Sequence, residues 1–185
     1  MERPVCAAFV GMTLDGFIAR PDGRLDFLDP FAAEPHGYEG FFAGVDTVLV
    51  GRATWEFVAG LADWPYPGKR VAVLTHRPLP ARRGEIVLAG PPAEALDRLG
   101  REGAHRVYAD GGSVVSQFLA AGLLDELTVS VVPVVLGQGI RLFQPPLSEQ
   151  RLRFGGSEVY RSGLVQLRYR PRETPKVQAP DSHGH

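Results

Sequence analysis

Residues 106–121 read RVYADGGSVVSQFLAA, and their order decides the fold. Arg106 to Ala109 form a short apolar run of strand type. Asp110-Gly111-Gly112 then cuts it. Val114, Val115, Phe118 and Leu119 follow at helical spacing, and Gly122 marks the stop. A buried strand that feeds directly into a helix is the repeating unit of an α/β sheet.

The same unit recurs upstream. Asp46-Thr47-Val48-Leu49-Val50 is a buried strand ending at Gly51, and Trp55 and Val58 lie three apart on the helix over 52–59. Residues 70–75 (RVAVLT) and 85–89 (EIVLA) read as strands, and Pro91-Pro92 opens a helix through Ala95, Leu96 and Leu99. Residues 5–12 (VCAAFVGM) are continuously apolar, as in a strand covered on both faces. Phe17-Ile18-Ala19 adds a short extension, and residues 37–44 have helical spacing.

Residues 126–136 (ELTVSVVPVVL) read as one long strand in which Pro133 implies an edge or a bulge. Two last strands, near 151–159 and 163–170, have no helix between them and should pair antiparallel. The expected fold is an α/β three-layer sandwich with a mostly parallel mixed sheet and a C-terminal antiparallel hairpin. Residues 1–170 form a single domain in this reading, and 171–185, with Pro171, Pro175 and Pro180, a disordered tail.

Composition sets the class. The 185 residues are 44% hydrophobic and 22% charged, with a net charge of −1. Such balance argues against a nucleic-acid surface. No apolar run is long enough to span a membrane. The single cysteine, Cys6, forms no internal disulfide, so a reducing, cytoplasmic setting is expected.

Three strand ends are suited to phosphate, because helix N-termini offer unpaired N–H groups and a positive dipole end. The first is Gly51-Arg52-Ala53-Thr54, with a guanidinium fork and a hydroxyl. The second is Thr75-His76-Arg77. The third is Asp110-Gly111-Gly112-Ser113, whose paired glycines permit close approach of a pyrophosphate. None of them is the G-x-G-x-x-G fingerprint. Each also has a plain reading as a turn or a solvated charge. Asp15, beside Gly16 and just after the first strand, is a candidate for orienting substrate or relaying a proton, or else an Asp-Gly turn. His183 and His185 lack carboxylate or cysteine partners, and no metal site is expected.

TLDGFIA near the start, DTVLVGRATWE, YPGKRVAVLTHRP and YADGGSVVSQFLAAGLLDELTVSVVPVVLGQGIRLF, in that order, resemble the dihydrofolate-reductase-like superfamily. Within it the chain is most similar to the C-terminal reductase domain of bacterial riboflavin-biosynthesis deaminase–reductases and its stand-alone relatives, over roughly residues 4–170. The resemblance implies an NADPH-dependent reductase like 5-amino-6-(5-phosphoribosylamino)uracil reductase, passing hydride to a C=N or C=O carbon. It implies that Gly51, Arg52 and Thr54 meet the cofactor phosphates. It places Thr75, His76 and Arg77 at the adenosine 2′-phosphate, and Gly111, Gly112, Ser113 and Val114 at the pyrophosphate. A homodimer is implied as well, and the apolar run in 126–136 agrees with it. Two departures stand out. Those reductases carry a Lys six residues before the Asp of Leu-Asp-Gly, where this chain has Phe9. Residues 25–45 contain no Lys or Arg where the family has a segment for the substrate phosphate. The alternatives are a dihydrofolate or pterin reductase, a nucleotide-binding module without turnover, and a structural dimerisation domain.

Overall fold

In the computed structural model, residues 3–80 and 82–171 are described; apart from Pro171, the expected tail lies outside them. Ten strands and four α-helices alternate along these residues. In chain order they are β1 (Val5–Thr13), β2 (Phe17–Ala19), α1 (Tyr38–Ala43), β3 (Thr47–Gly51), α2 (Arg52–Ala59), β4 (Arg70–Leu74) and β5 (Ile86–Leu88). There follow α3 (Pro92–Arg101), β6 (Arg106–Asp110), α4 (Gly112–Ala120), β7 (Glu126–Val132), β8 (Ile140–Arg141), β9 (Leu152–Val159) and β10 (Val165–Pro171). A 3-10 helix spans Asp26–Phe31.

Eight strands form one sheet in the order β5-β4-β3-β6-β1-β7-β10-β9. The first six run parallel, and β10 and β9 close the sheet antiparallel. The two-residue side-chain period of a strand sorts the core into two layers. Cys6, Ala8 and Val10 of β1 and Val107 and Ala109 of β6 pack with Leu96 and Leu99 of α3 and Val115 and Phe118 of α4. Phe9 and Tyr108, from the same two strands, pack on the other face with Trp55 and Val58 of α2 and the aromatic residues of α1. The expected three-layer sandwich with a mostly parallel mixed sheet is therefore the observed one.

One element differs from its expectation. β7 ends at Val132, and Pro133 lies beyond it. The strand sits between β1 and β10, so Pro133 marks neither an edge nor a bulge. Lacking an N–H, proline stops the ladder there. The chain turns at once, with the Val134 amide donating to the Val132 carbonyl at 2.8 Å. The later part of the expected strand leads instead to β8, which pairs with β2 in a separate two-stranded ribbon.

β6 fills the place between β3 and β1, so the strand order reverses in the middle of the sheet. The carboxyl ends of β1, β3 and β6 meet there, where open α/β sheets hold their ligands.

Candidate active site

The N-termini of α2 and α4 both lie at this reversal, after β3 and β6. Gly111 caps α4 at φ +90°, a conformation that favours glycine. The first backbone bond inside the helix runs from the Val115 amide to the Gly111 carbonyl. The amides of Gly112, Ser113 and Val114 thus lie before the first intrahelical donor, as at any helix start. Thr54, one turn into α2, packs against Gly111 so closely that a Cβ there would collide with its hydroxyl oxygen.

Gly112 is required for a reason the sequence does not show. A Cβ at Gly112 would stand 2.5 Å from the Arg141 carbonyl oxygen and 2.9 Å from that of Leu142. The close approach at this glycine is to the chain's own backbone, in the segment that carries β8.

The other strand-end residues are arranged differently. Arg52 is already engaged: its Nε donates to Glu56 Oε1 at 2.7 Å and its Nη1 to the Pro78 carbonyl at 2.8 Å. It fastens α2 to the loop after β4. Thr75 Oγ1 accepts from the Arg77 amide at 3.2 Å, while His76 and Arg77 are exposed. Asp15 accepts from Thr13 Oγ1 at 2.6 Å and from the amides of Leu136 and Gly137 at 3.1 and 2.7 Å. These bonds, the Thr13 hydroxyl first, hold its carboxyl down at about 2. Asp15 clamps the loop that follows β7.

A cavity of about 770 Å³ opens where β1 and β6 end. Of the residues singled out in the sequence, Thr54, Gly111, Gly112 and Ser113 line it; Asp15, Gly51, Arg52, Thr75, His76, Arg77 and Val114 do not. The opposite end is apolar, with Phe9, Leu28, Phe31, Val132 and Leu164 on its wall.

Asp110 lines the cavity between these two ends. As part of an Asp-Gly-Gly run it resembles a turn residue, and its role depends on partners far away in the chain. Tyr66 donates to Asp110 Oδ2 at 2.6 Å. Tyr108 donates to the Phe9 carbonyl at 2.9 Å, and its ring lies edge-on to that of Tyr38, 6.4 Å away. Burial raises the pKa of Asp110, and the Tyr66 hydroxyl and the Gly111 amide only partly offset it. Burial and the Asp110 charge push Tyr38 up to about 12, and Tyr66 and Tyr108 well above the usual tyrosine range. The site thus holds one carboxyl whose charged form burial disfavours, among phenols held above their ordinary range. A titratable group perturbed by desolvation in a cleft is a marker of function.

The far end also holds polar groups. His36 lines the cavity, and its Nδ1 is shielded from solvent without a partner among the described residues. Gln166 on β10, 2% exposed, donates to the His36 carbonyl at 2.8 Å and to Ser130 Oγ at 3.3 Å. Asp26, Asp29, Glu34 and Glu39, the acidic residues of the 25–45 segment, are absent from the wall.

The model of the RibD C-terminal domain matches residues 4–166. The chain belongs to the RibD C-terminal domain family. The uncharacterized protein YwjB of Bacillus subtilis (strain 168) is 36% identical over 173 residues, which are 91% of this chain and 98% of that one. The crystal structure of a putative riboflavin biosynthesis protein from Shewanella sp. PV-4 superposes with a TM-score of 0.82 at 29% identity, covering 91% of this chain and 99% of that one. Dihydrofolate reductase from Enterococcus faecalis, solved with NADP(H), superposes with a TM-score of 0.62 at 20% identity over 91% of this chain and 97% of that one. That last likeness shows a shared fold. As a member of the RibD C-terminal family, the chain is a reductase-like domain of the riboflavin-biosynthesis type, with the dihydrofolate-reductase-like sheet.

Proposed function

We propose that the chain is an NADPH-dependent reductase that delivers hydride to an electron-poor C=N or C=O carbon of a small molecule. The observation that carries this reading is one continuous cavity. It joins the N-terminus of α4 to an apolar end, with the raised carboxyl of Asp110 between them.

The donor set suits a dinucleotide. Amides at the starts of α2 and α4, the Thr54 hydroxyl and the Ser113 hydroxyl are neutral donors of the kind that receive phosphate oxygens. In this reading Gly51, Thr54, Gly111, Gly112, Ser113 and Val114 hold the pyrophosphate. Thr75, His76 and Arg77 meet the adenosine 2′-phosphate, and Arg52 keeps their loop against α2. NADPH, when bound, supplies the hydride and its own redox chemistry.

The chain's own residues supply position and a proton. Phe9, Leu28 and Tyr38 flank a flat acceptor and exclude water from it. Asp110, protonated more readily than an ordinary aspartate, donates to the acceptor's nitrogen or oxygen. Tyr66 fixes the orientation of that carboxyl. Asp15 acts as a positioning residue through the 136–137 loop. The protein works in the cytoplasm as a homodimer. β9 is the long open edge of the sheet, and Phe154 and Val159 on it are 59% and 74% exposed. A monomer mass by light scattering at micromolar concentration would remove the dimer.

The test of the main reading is NADPH oxidation, followed by absorbance, against pyrimidine, pterin and carbonyl acceptors. Turnover of a pyrimidine or carbonyl acceptor supports the reading as stated. Turnover of dihydropterin alone makes the chain a pterin reductase. Tight NADPH binding with no turnover makes it a nucleotide-binding module.

A further inference from the structure

The polar atoms on the cavity wall are mostly spent on one another. Tyr66 donates to Asp110, and Tyr108 to the Phe9 carbonyl. Ser130 Oγ accepts from Gln166, and Gln144 donates to the Arg141 carbonyl at 3.0 Å. The Nδ1 of His36 is sealed from solvent and so does not face the open space. Away from the start of α4, a ligand is left with a few neutral hydroxyls and the Asp110 carboxyl. A ring with several N–H and C=O groups on its edge would keep most of them unpaired there, and each unpaired group weakens binding.

Charge is as sparse as free hydrogen bonding. Among the described residues no lysine or arginine lines the cavity; its acidic members are Asp22 and Asp110. Asp22, at the surface, is paired with Arg24, whose Nε lies 2.7 Å from Asp22 Oδ2. A phosphate or carboxylate on the ligand would be buried with no cation beside it, the least favourable kind of burial.

Hydrocarbon, by contrast, is continuous. Phe9, Leu28, Phe31, Val132 and Leu164 form the inner wall. Leu25, Leu61 and Ile140 line the same cavity and are exposed, so its mouth is apolar as well. Large exposed hydrophobic side chains gathered at one opening mark a groove for an apolar ligand.

We propose that the acceptor is an apolar ketone or aldehyde without a charged group, its carbonyl oxygen at Asp110 and its hydrocarbon or aryl body against the inner wall. This rests on the reductase reading for the reaction, while the binding preference stands on the wall alone. The carbonyl carbon gains the hydride, and a C–H bond forms. The π electron pair moves to oxygen and takes the Asp110 proton, giving an alcohol as NADPH is oxidised to NADP⁺. The Asp110 carboxylate then recovers its proton from water. One carbonyl oxygen needs one acid, and the wall offers one.

The experiment uses three probes: benzylacetone, its para-carboxylate, and a ribosylaminopyrimidine 5′-phosphate. Binding to the purified full chain is measured by calorimetry without cofactor, and NADPH-dependent alcohol formation by chromatography. Benzylacetone should bind about tenfold or more tightly than either charged probe, and should be reduced. Leu28→Arg and, at the exposed mouth, Leu61→Arg each supply the missing cation and should turn the preference toward the carboxylate. A wild-type chain that binds a charged probe as well as benzylacetone, or binds none of the three, overturns the proposal. So does an unchanged preference in whichever variants fold. A binding preference as expected with no alcohol formed defeats the reductase reading alone.

Discussion

The Tyr66 hydroxyl stands 2.6 Å from Oδ2 of Asp110, joining a residue of the loop after α2 to the last residue of β6. Tyr66 is 3% exposed and makes this bond from the wall of the cavity. A neutral donor orients the carboxyl without fixing its charge.

Asp110→Asn keeps the shape and the acceptor for Tyr66 but cannot pass on a proton. We expect kcat/KM to fall by about 10²–10⁴, the range of acid–base groups, with NADPH affinity nearly unchanged. Burial raises this pKa in the folded state, so the native chain binds the proton more tightly than the unfolded one. Stability therefore falls as pH rises from the ordinary aspartate value through the raised one. The variant should lack that decline, and melting curves across pH check it.

Tyr66→Phe removes a bond that lowers the pKa of Asp110. The carboxyl should then hold its proton to higher pH. The alkaline limb of the kcat/KM profile should move up, while Asp110→Asn should have no such limb. An unmoved limb in Tyr66→Phe would show that Asp110 does not set it.

Arg77 is exposed at the end of β4 and has no side-chain bond to the described residues, whereas Arg52 is paired. Arg77→Ala should weaken NADPH about tenfold or more, since a charge-assisted bond is worth roughly 1.5–3 kcal/mol. NADH should be unaffected. Titration of both cofactors decides whether Arg77 carries the preference.

Asp15→Asn should act through the loop after β7. The folded carboxyl is held at about 2, so its contribution to stability is complete above the ordinary aspartate value and is lost as pH falls toward 2. The variant should melt lower at neutral pH and show a flatter acid limb. NADPH affinity should be unchanged, and kcat should fall less than in Asp110→Asn. A variant that melts like wild type while losing kcat as severely would place Asp15 in the chemistry itself.

The parallel strands were legible because strands covered on both faces are written as unbroken apolar runs, as over 5–12 and 46–50. The helix start at Arg52 was legible from the glycine before it, and the helix after Asp110-Gly111-Gly112 was legible too, though it begins at Gly112, two residues before the expected Val114. What escaped was whatever depends on distant neighbours. Asp110 has the local signature of a turn; Tyr108 is its neighbour two residues back on β6, but only the fold brings Tyr38 and Tyr66 around it. Arg52 looks like a fork awaiting an anion, yet Glu56, one turn on, and Pro78, across a loop, already occupy it. Gly112 reads as room for a ligand, while the space belongs to the backbone of Arg141 and Leu142. The length of β7 was overread because Val134 and Val135 continue its apolar run after proline has ended its hydrogen bonding.

The bond from Gln166 to the carbonyl of His36 joins residues 130 positions apart and ties the last strand to the segment before α1. The strand ends assigned to the dinucleotide lie within residues 51–114, yet Gly112 among them rests on the backbone of Arg141 and Leu142. The apolar end is closed by Leu164, just before β10. Both ends of the cavity therefore borrow walls from the last third of the sequence, and a chain cut short before β10 would leave the apolar end open on that side.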